Sequence, residues 1–420
     1  MPALSSLLQH PPLAAYACQA PSLWQASEAR CGRRHVAATA VQCHARGRRL
    51  APLVPEPLPQ GGRREALWTR ASALLALVAV CQRRQRASAA VAADRVALVT
   101  GASAGIGKAT VATLAQSGLY KRIFFAGHNE EKTRAAIAEV RAAVERWRGQ
   151  QQQPLAEVDF SFLPLELSSL ASVRSAASAF QETGLPLHAL ICNAAVMALP
   201  ERRVTADGFE YQLEVNYLSH FLLTNLLLPQ LVAAGTVDNP SRVISVSSSA
   251  HFVRSPLAFG DVTDLNLSGA EGDASAYYPW TAYGQSKLAQ VMFTYELGRR
   301  LKERGAPVAA FAVDPGLVDT ELQRYLPAQA PSPVMKFIAK TSQQGAETPA
   351  FLATASAASI GSGGYWAEVA KGQAESLGRG PSPLPFNSEL AVKDSTSYDP
   401  GAWAALWAKS AALVGLRETI

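Results

Sequence analysis

A doubly wound α/β fold, a parallel sheet of about seven strands with helices on both faces, is what this 420-residue sequence predicts. Two observations carry that reading. From Val91 onward, short apolar, β-rich runs alternate with segments of helical spacing. The first of these runs leads straight into a glycine-rich turn, Gly101-Ala102-Ser103-Ala104-Gly105-Ile106-Gly107, which opens the first helical segment. Alternation at this spacing requires parallel strands joined by helical crossovers, and crossovers cover both faces of the sheet.

In chain order, strands are expected at Arg95–Thr100, Arg122–Ala126, Val158–Leu165, Ala189–Cys192, Arg242–Ser247 and Val308–Val313, with a seventh near Gly364–Trp366. Helices are expected at Gly105–Gln116, Glu130–Trp147, Leu170–Phe180, Tyr211–Leu231 and Tyr283–Arg304, and Pro400–Leu416 reads as a C-terminal helix. Gln150–Gln153 is a linker, and Gly372–Pro400, dense in Gly, Pro and Ser, reads as a mobile loop. No repeat divides residues 91–420, so they form one large domain.

Residues 1–90 differ. They hold twelve arginines, no lysine, no aspartate and three glutamates (Glu28, Glu56, Glu65), which accounts for the basic charge of the whole chain. The remaining residues are close to neutral, so a nucleic-acid-binding surface is not expected. An Arg-rich, Ser-rich, acid-poor leader has the composition of an organelle transit peptide, plastid in the first reading and mitochondrial in the second. The apolar run 71–81 is too short to span a bilayer, which takes roughly 20 residues; a short signal core after Arg63-Arg64 and a peripheral membrane anchor are its alternative readings. Four of five cysteines lie in the leader with no zinc-like spacing, and the one left, Cys192, forms no disulfide framework, so no metal site is expected.

The turn after the first strand has the physics of a dinucleotide site. Its glycines permit a tight bend and close backbone approach, and the helix N-terminus presents free N–H groups to a pyrophosphate. Further on, Tyr283 and Lys287 stand four apart and share a helix face. A tyrosine titrates near ~10, and a lysine cation beside it favours the phenolate needed for acid–base work. Ser248, after the fifth strand, is placed to hydrogen-bond a substrate oxygen, with Ser247 as runner-up. Asn216, after the fourth, is placed to hold a water linking Lys287 to solvent. Each residue alone has an ordinary structural reading; their joint order behind the glycine turn does not.

The turn Thr100–Gly107, Val215-Asn216-Tyr217, Val246-Ser247-Ser248-Ser249 and Tyr283-Gly284-Gln285-Ser286-Lys287 together resemble the short-chain dehydrogenase/reductase family, from Val91 to the C-terminus. The resemblance implies a Rossmann fold and an Asn-Ser-Tyr-Lys tetrad at Asn216, Ser248, Tyr283 and Lys287. It also implies cofactor contacts from Gly101, Ser103, Gly105, Ile106 and Gly107, from Glu166 and Leu167, from Asn193 and Ala194, and from Pro315, Gly316 and Thr320. At the end of the second strand Gly127-His128 stands where relatives carry Cys-Arg. No carboxylate sits there, which favours NADP(H), with His128 and Lys132 near the 2′-phosphate.

Three branches share features with the chain. Thr205–Glu210, Asn216–Leu227 and Ser248-Ser249-Ala250-His251 resemble retinol dehydrogenases. Trp280–Ala289 and Ser342–Ala346 resemble a plastid dehydrogenase associated with the inner-envelope translocon. Cys192–Val196 and Gly364-Tyr365-Trp366 resemble light-dependent protochlorophyllide reductase, in which a cysteine at this place serves the reaction. The preferred expectation is an enzyme interconverting a hydrophobic carbonyl and alcohol. Pigment photoreduction, and an NADP(H)-binding redox sensor or scaffold, are the alternatives; an oligomer is compatible with all three. His251 is read first as a satisfied loop histidine and second as a substrate contact, and Trp403 and Trp407 as core packing of the last helix.

Overall fold

The computed structural model describes residues 94–150, 157–253, 255, 257, 261–268, 277–320, 322, 339–361, 363–367 and 399–417. The expected leader, most of the Gln150–Gln153 linker and nearly all of the expected loop 372–400 lie outside them. Seven parallel strands form one sheet in the order β3-β2-β1-β4-β5-β6-β7. They are β1 (Arg95–Thr100), β2 (Tyr120–Gly127), β3 (Asp159–Pro164), β4 (Ala189–Cys192), β5 (Ser241–Val246), β6 (Val308–Asp314) and β7 (Gly363–Ala367). Helices are α1 (Gly105–Gln116), α2 (Glu130–Gly149), α3 (Leu170–Glu182), α4 (Tyr211–Leu226), α5 (Leu228–Ala234), α6 (Pro279–Glu303), α7 (Ser342–Thr354), α8 (Ala357–Ile360) and α9 (Pro400–Leu413). This is the doubly wound Rossmann architecture.

The strands are buried on both faces, which is why they read as continuous apolar runs. Alternate side chains sort into two cores. Leu98, Phe124, Leu190 and Val243 face α3, α4, α6 and α9, meeting Phe180, Phe221, Leu288 and Trp407. Val99, Phe125, Ile191 and Phe311 face α1, α2 and α7, meeting Val111, Val140 and Leu352. Helix starts are chemically marked. Asn129 caps α2 by accepting from Lys132 N at 2.8 Å, and Ser169 caps α3. Thr341 and Gln344 form a capping box on α7.

The expected single helix Tyr211–Leu231 is two helices meeting at 57°. Pro229 sits in the first turn of α5, where its missing N–H is tolerated and where it ends the run of α4. Within α4, Glu214–Leu218 form a π turn, which rotates Asn216 relative to an ordinary helix. Together α4 and α5 have the apolarity of a bent membrane span, yet α4 is almost wholly buried in the core; among the described residues no single helix is long and apolar enough to cross a membrane. Helix α6 begins at Pro279, one turn before Tyr283, because proline at N1 starts helices. The tryptophans of α9 pack inward as expected. Trp407 stacks on Phe293 at 5.6 Å beneath the Arg300 guanidinium, and Trp403 stacks on Tyr295 at 5.2 Å.

Candidate active site

The strand order reverses between β1 and β4, and ligands of open α/β sheets sit outside the strand ends at such a point. There the turn after β1 has Gly101 at φ +65° and Gly105 at φ +53°, where L side chains are strained. Gly107 is needed for a different reason. A Cβ there would lie 2.4 Å from the Gly101 carbonyl and 2.6 Å from Asn193 Nδ2. Ala104, the residue preceding α1, provides no side-chain cap, so the first-turn N–H groups are left for an anion.

The other expected cofactor residues converge on this turn. Asn193 donates from Nδ2 to the Thr100 carbonyl at 2.9 Å, and the Asn193 and Ala194 N–H groups donate to Thr100 Oγ1 at 2.9 and 3.0 Å. After β6, Gly316 takes φ +79° with its N–H on Asp314 Oδ1 at 2.8 Å, and Thr320 approaches Gly105. Ile106 packs under Gly345 of α7. After β3, the Glu166 carboxylate accepts from Ser168 N and Oγ at 2.9 and 2.8 Å, and His128 Nδ1 stands 3.9 Å from it. Next to Glu166, the Leu167 side chain is buried and its carbonyl accepts from Ser219 Oγ at 2.6 Å. Ser103, Gly105, Lys108, Lys132, Thr320 and Ser342 line a cleft of about 420 Å³, in which Lys108 pairs with Glu139 at 2.7 Å. The cradle fits a dinucleotide: bare backbone where a Cβ would clash, and uncapped helix N–H groups beside it.

Tyr283 and Lys287 project from α6 against the end of β5. Lys287 Nζ donates to the Val246 carbonyl at 2.8 Å and stands 5.6 Å from the centre of the Tyr283 ring. Ser248 stands close enough to the Tyr283 phenol to act on its titration. The Ser247 hydroxyl donates to the Lys287 carbonyl at 2.9 Å. Burial pushes the Tyr283 phenol above its usual range; Ser248 opposes this, and Asp314 adds to it. Burial likewise lowers Lys287 to about 7, against Asp314, which raises it. The expected lowering of the tyrosine by the lysine cation does not appear: burial dominates, and Lys287 is not among the groups that shift the phenol.

Asn216 also differs from expectation. Its Oδ1 accepts from Val196 N at 2.8 Å, and its Nδ2 donates to the Val196 carbonyl and to Ser286 Oγ, both at 2.9 Å. Its own carbonyl accepts from His220 Nδ1 at 3.0 Å and Gln290 Nε2 at 2.9 Å. The side chain thus ties the loop after β4 to α6 through Ser286, the residue before Lys287. The sequence reading gave no role to His220 or Gln290; their signal is only that both are polar and fall on apolar helices. His251 donates from Nδ1 to the Ser248 carbonyl at 2.7 Å, packs on Tyr365 at 5.0 Å, and keeps Nε2 buried without a hydrogen-bond partner. Cys192 lies in the core with its thiol pushed up to about 12 by burial.

With that geometry in place, likeness to other proteins is informative. The short chain dehydrogenase family model matches residues 95–259. The polyprenol dehydrogenase of Danio rerio is 36% identical over 326 residues, 77% of this chain and 87% of that protein. The chain belongs to the short-chain dehydrogenase family. The polyprenol dehydrogenase of Mus musculus is 46% identical over 231 residues, 55% of this chain and 62% of that protein, and so is matched over less than two thirds of its length. Retinol dehydrogenase 11 of Homo sapiens is 38% identical, covering 65% of this chain and 77% of that protein. A crystal structure of an uncharacterized protein from Mycobacterium Paratuberculosis aligns with TM-score 0.52 and 30% identity, over 77% of this chain and 94% of that one. Membership agrees with the cradle after β1, whose bare backbone and uncapped helix N–H groups fit a dinucleotide.

Proposed function

We propose that the chain interconverts a long-chain or polyene hydrophobic alcohol, of the polyprenol or retinol class, with its carbonyl, using NADP(H). The observation that carries this reading is the Ser248–Tyr283–Lys287 grouping with exposed apolar side chains beside it. Trp280 stands edge-on to the Tyr283 ring at 6.0 Å, and Tyr278 at the start of α6, Phe252 in the segment after β5 and Leu317 in the segment after β6 are exposed. Relatives named for polyprenol and retinol oxidation support the substrate class. For NADP(H), support comes from the absence of a carboxylate directly after β2 and from Lys108 and Lys132 in the cleft beside the turn.

In this mechanism Ser248 holds the substrate oxygen, and Tyr283 gives its phenol proton to that oxygen during reduction or, as the phenolate, takes the proton up during oxidation. A nicotinamide dinucleotide held at the turn after β1 would supply the hydride for reduction or take it up in oxidation. Lys287 is held beside the phenol by the Val246 carbonyl, and Asn216 fixes the loop after β4 against α6. The buried, protonated Cys192 weighs against the pigment-photoreduction alternative, which needs a reactive thiol. The test is turnover of retinol and a polyprenol with NADP⁺. Tyr283→Phe is expected to keep its fold and dinucleotide binding and to lose roughly 100- to 10,000-fold in rate.

For residues 1–90, the acid-poor, Arg-rich composition supports plastid targeting. Fusing them to a fluorescent protein in plant cells should direct it to plastids; a mitochondrial or cytosolic signal would overturn this.

A further inference from the structure

His220 is a buried titratable side chain that the mechanism above leaves unused, yet both its ring nitrogens are engaged. It is 2% exposed on α4. Nδ1 stands 3.0 Å from the Asn216 carbonyl and Nε2 stands 2.9 Å from Thr100 Oγ1. A carbonyl only accepts, so Nδ1 must carry a proton. Burial, helped by the Lys287 charge and opposed by the Asn216 hydrogen bond, lowers the imidazole to about 4, so the ring is neutral near pH 7 and Nε2 is an acceptor. The Thr100 hydroxyl then donates to Nε2, which leaves its lone pairs for the N–H groups of Asn193 and Ala194. One tautomer therefore satisfies every member of the chain.

The two ends of that chain are the two halves of the site. Thr100 is the last residue of β1, one before Gly101, and its oxygen gathers the loop after β4 against the dinucleotide turn. Asn216 donates to Ser286, which in turn donates to the Tyr283 carbonyl at 2.7 Å, and Gln290 of α6 donates to the Asn216 carbonyl. We propose that His220 is a positioning residue that holds the dinucleotide turn and the Tyr283–Lys287 helix in one fixed arrangement, acting through Thr100 and Asn216. An apolar ring of similar size would fill the space but leave a hydroxyl and a carbonyl short of a partner, so the two halves would lose their registration without loss of packing.

The inference rests on reading this site as the oxidoreductase centre, but its readouts do not depend on the substrate. In the full-length protein, His220→Phe is expected to weaken NADPH binding about tenfold, the loss of roughly one well-formed buried hydrogen bond. Thr100→Val should weaken it similarly, and the double variant little more than either, because the two changes break the same link. His220→Gln, which retains a polar atom near the place of Nε2, should recover part of the binding. Unchanged NADPH affinity in folded His220→Phe, or strictly additive losses with Thr100→Val, would overturn the proposal. Should the variants not fold, ¹⁵N chemical shifts of the wild-type ring decide it. A neutral Nδ1–H tautomer whose Nε2 resonance moves on NADPH addition is expected; an Nε2–H tautomer, or a resonance indifferent to NADPH, contradicts it.

Discussion

Glu214 opens the π turn of α4 wholly buried, with the Thr205 hydroxyl donating to it and Asp207 beside it. Burial raises its carboxyl to about 7, the Thr205 hydrogen bond opposes this, and Asp207 and Glu166 add to it. The folded protein therefore keeps a proton that the unfolded chain releases near 4.5. The stability this group contributes is full below that pH and is lost as pH rises through about 7. Glu214→Gln should remove the loss, so its melting temperature should gain on wild type between pH 5 and pH 8. An equal pH dependence in the two proteins would show that Glu214 does not titrate there. At this scale Tyr283, Lys287 and Ser248 were legible from sequence because their geometry is local, a four-residue helical interval and a strand end. The Thr100–His220 contact was not, since the residues lie 120 apart and no periodicity links them.

Among the elements, the turn between β1 and α1 is the most tightly specified. Its glycine spacing was readable because backbone strain leaves few residue choices. Replacing Gly107 by alanine should press a methyl into the Gly101 carbonyl and Asn193. The expected outcome is a loss of about 1–3 kcal/mol in denaturant unfolding together with much weaker NADPH binding. A variant with wild-type stability and affinity would mean that the turn is looser than it looks. Helix α7, by contrast, was invisible: Gly345 and Pro349 interrupt its helical pattern, although Gly345 is there so that Val318 and Ile106 can approach. Its C-terminal carbonyls Leu352 and Ala355 accept from the buried Arg242 guanidinium, which anchors the helix over the sheet. The break between α4 and α5 was missed because apolar periodicity continues through Pro229.

Over the whole molecule, the strand alternation that pointed to a doubly wound sheet proved sufficient for the architecture, because strands buried on both faces cannot hide their composition. It is insufficient for the substrate, since one tetrad serves many carbonyl and alcohol pairs and specificity lies in loops around it. Exposed apolar side chains beside Tyr283, and relatives named polyprenol and retinol dehydrogenase, are what support the proposed substrate class. The most direct test is single-turnover oxidation of retinol and a polyprenol by the full-length chain with NADP⁺, comparing wild type with Tyr283→Phe. The account predicts NADPH and the corresponding aldehyde from the wild type, and a rate at least roughly 100-fold lower from the variant despite intact NADP⁺ binding. Near-equal rates in the two proteins would contradict it.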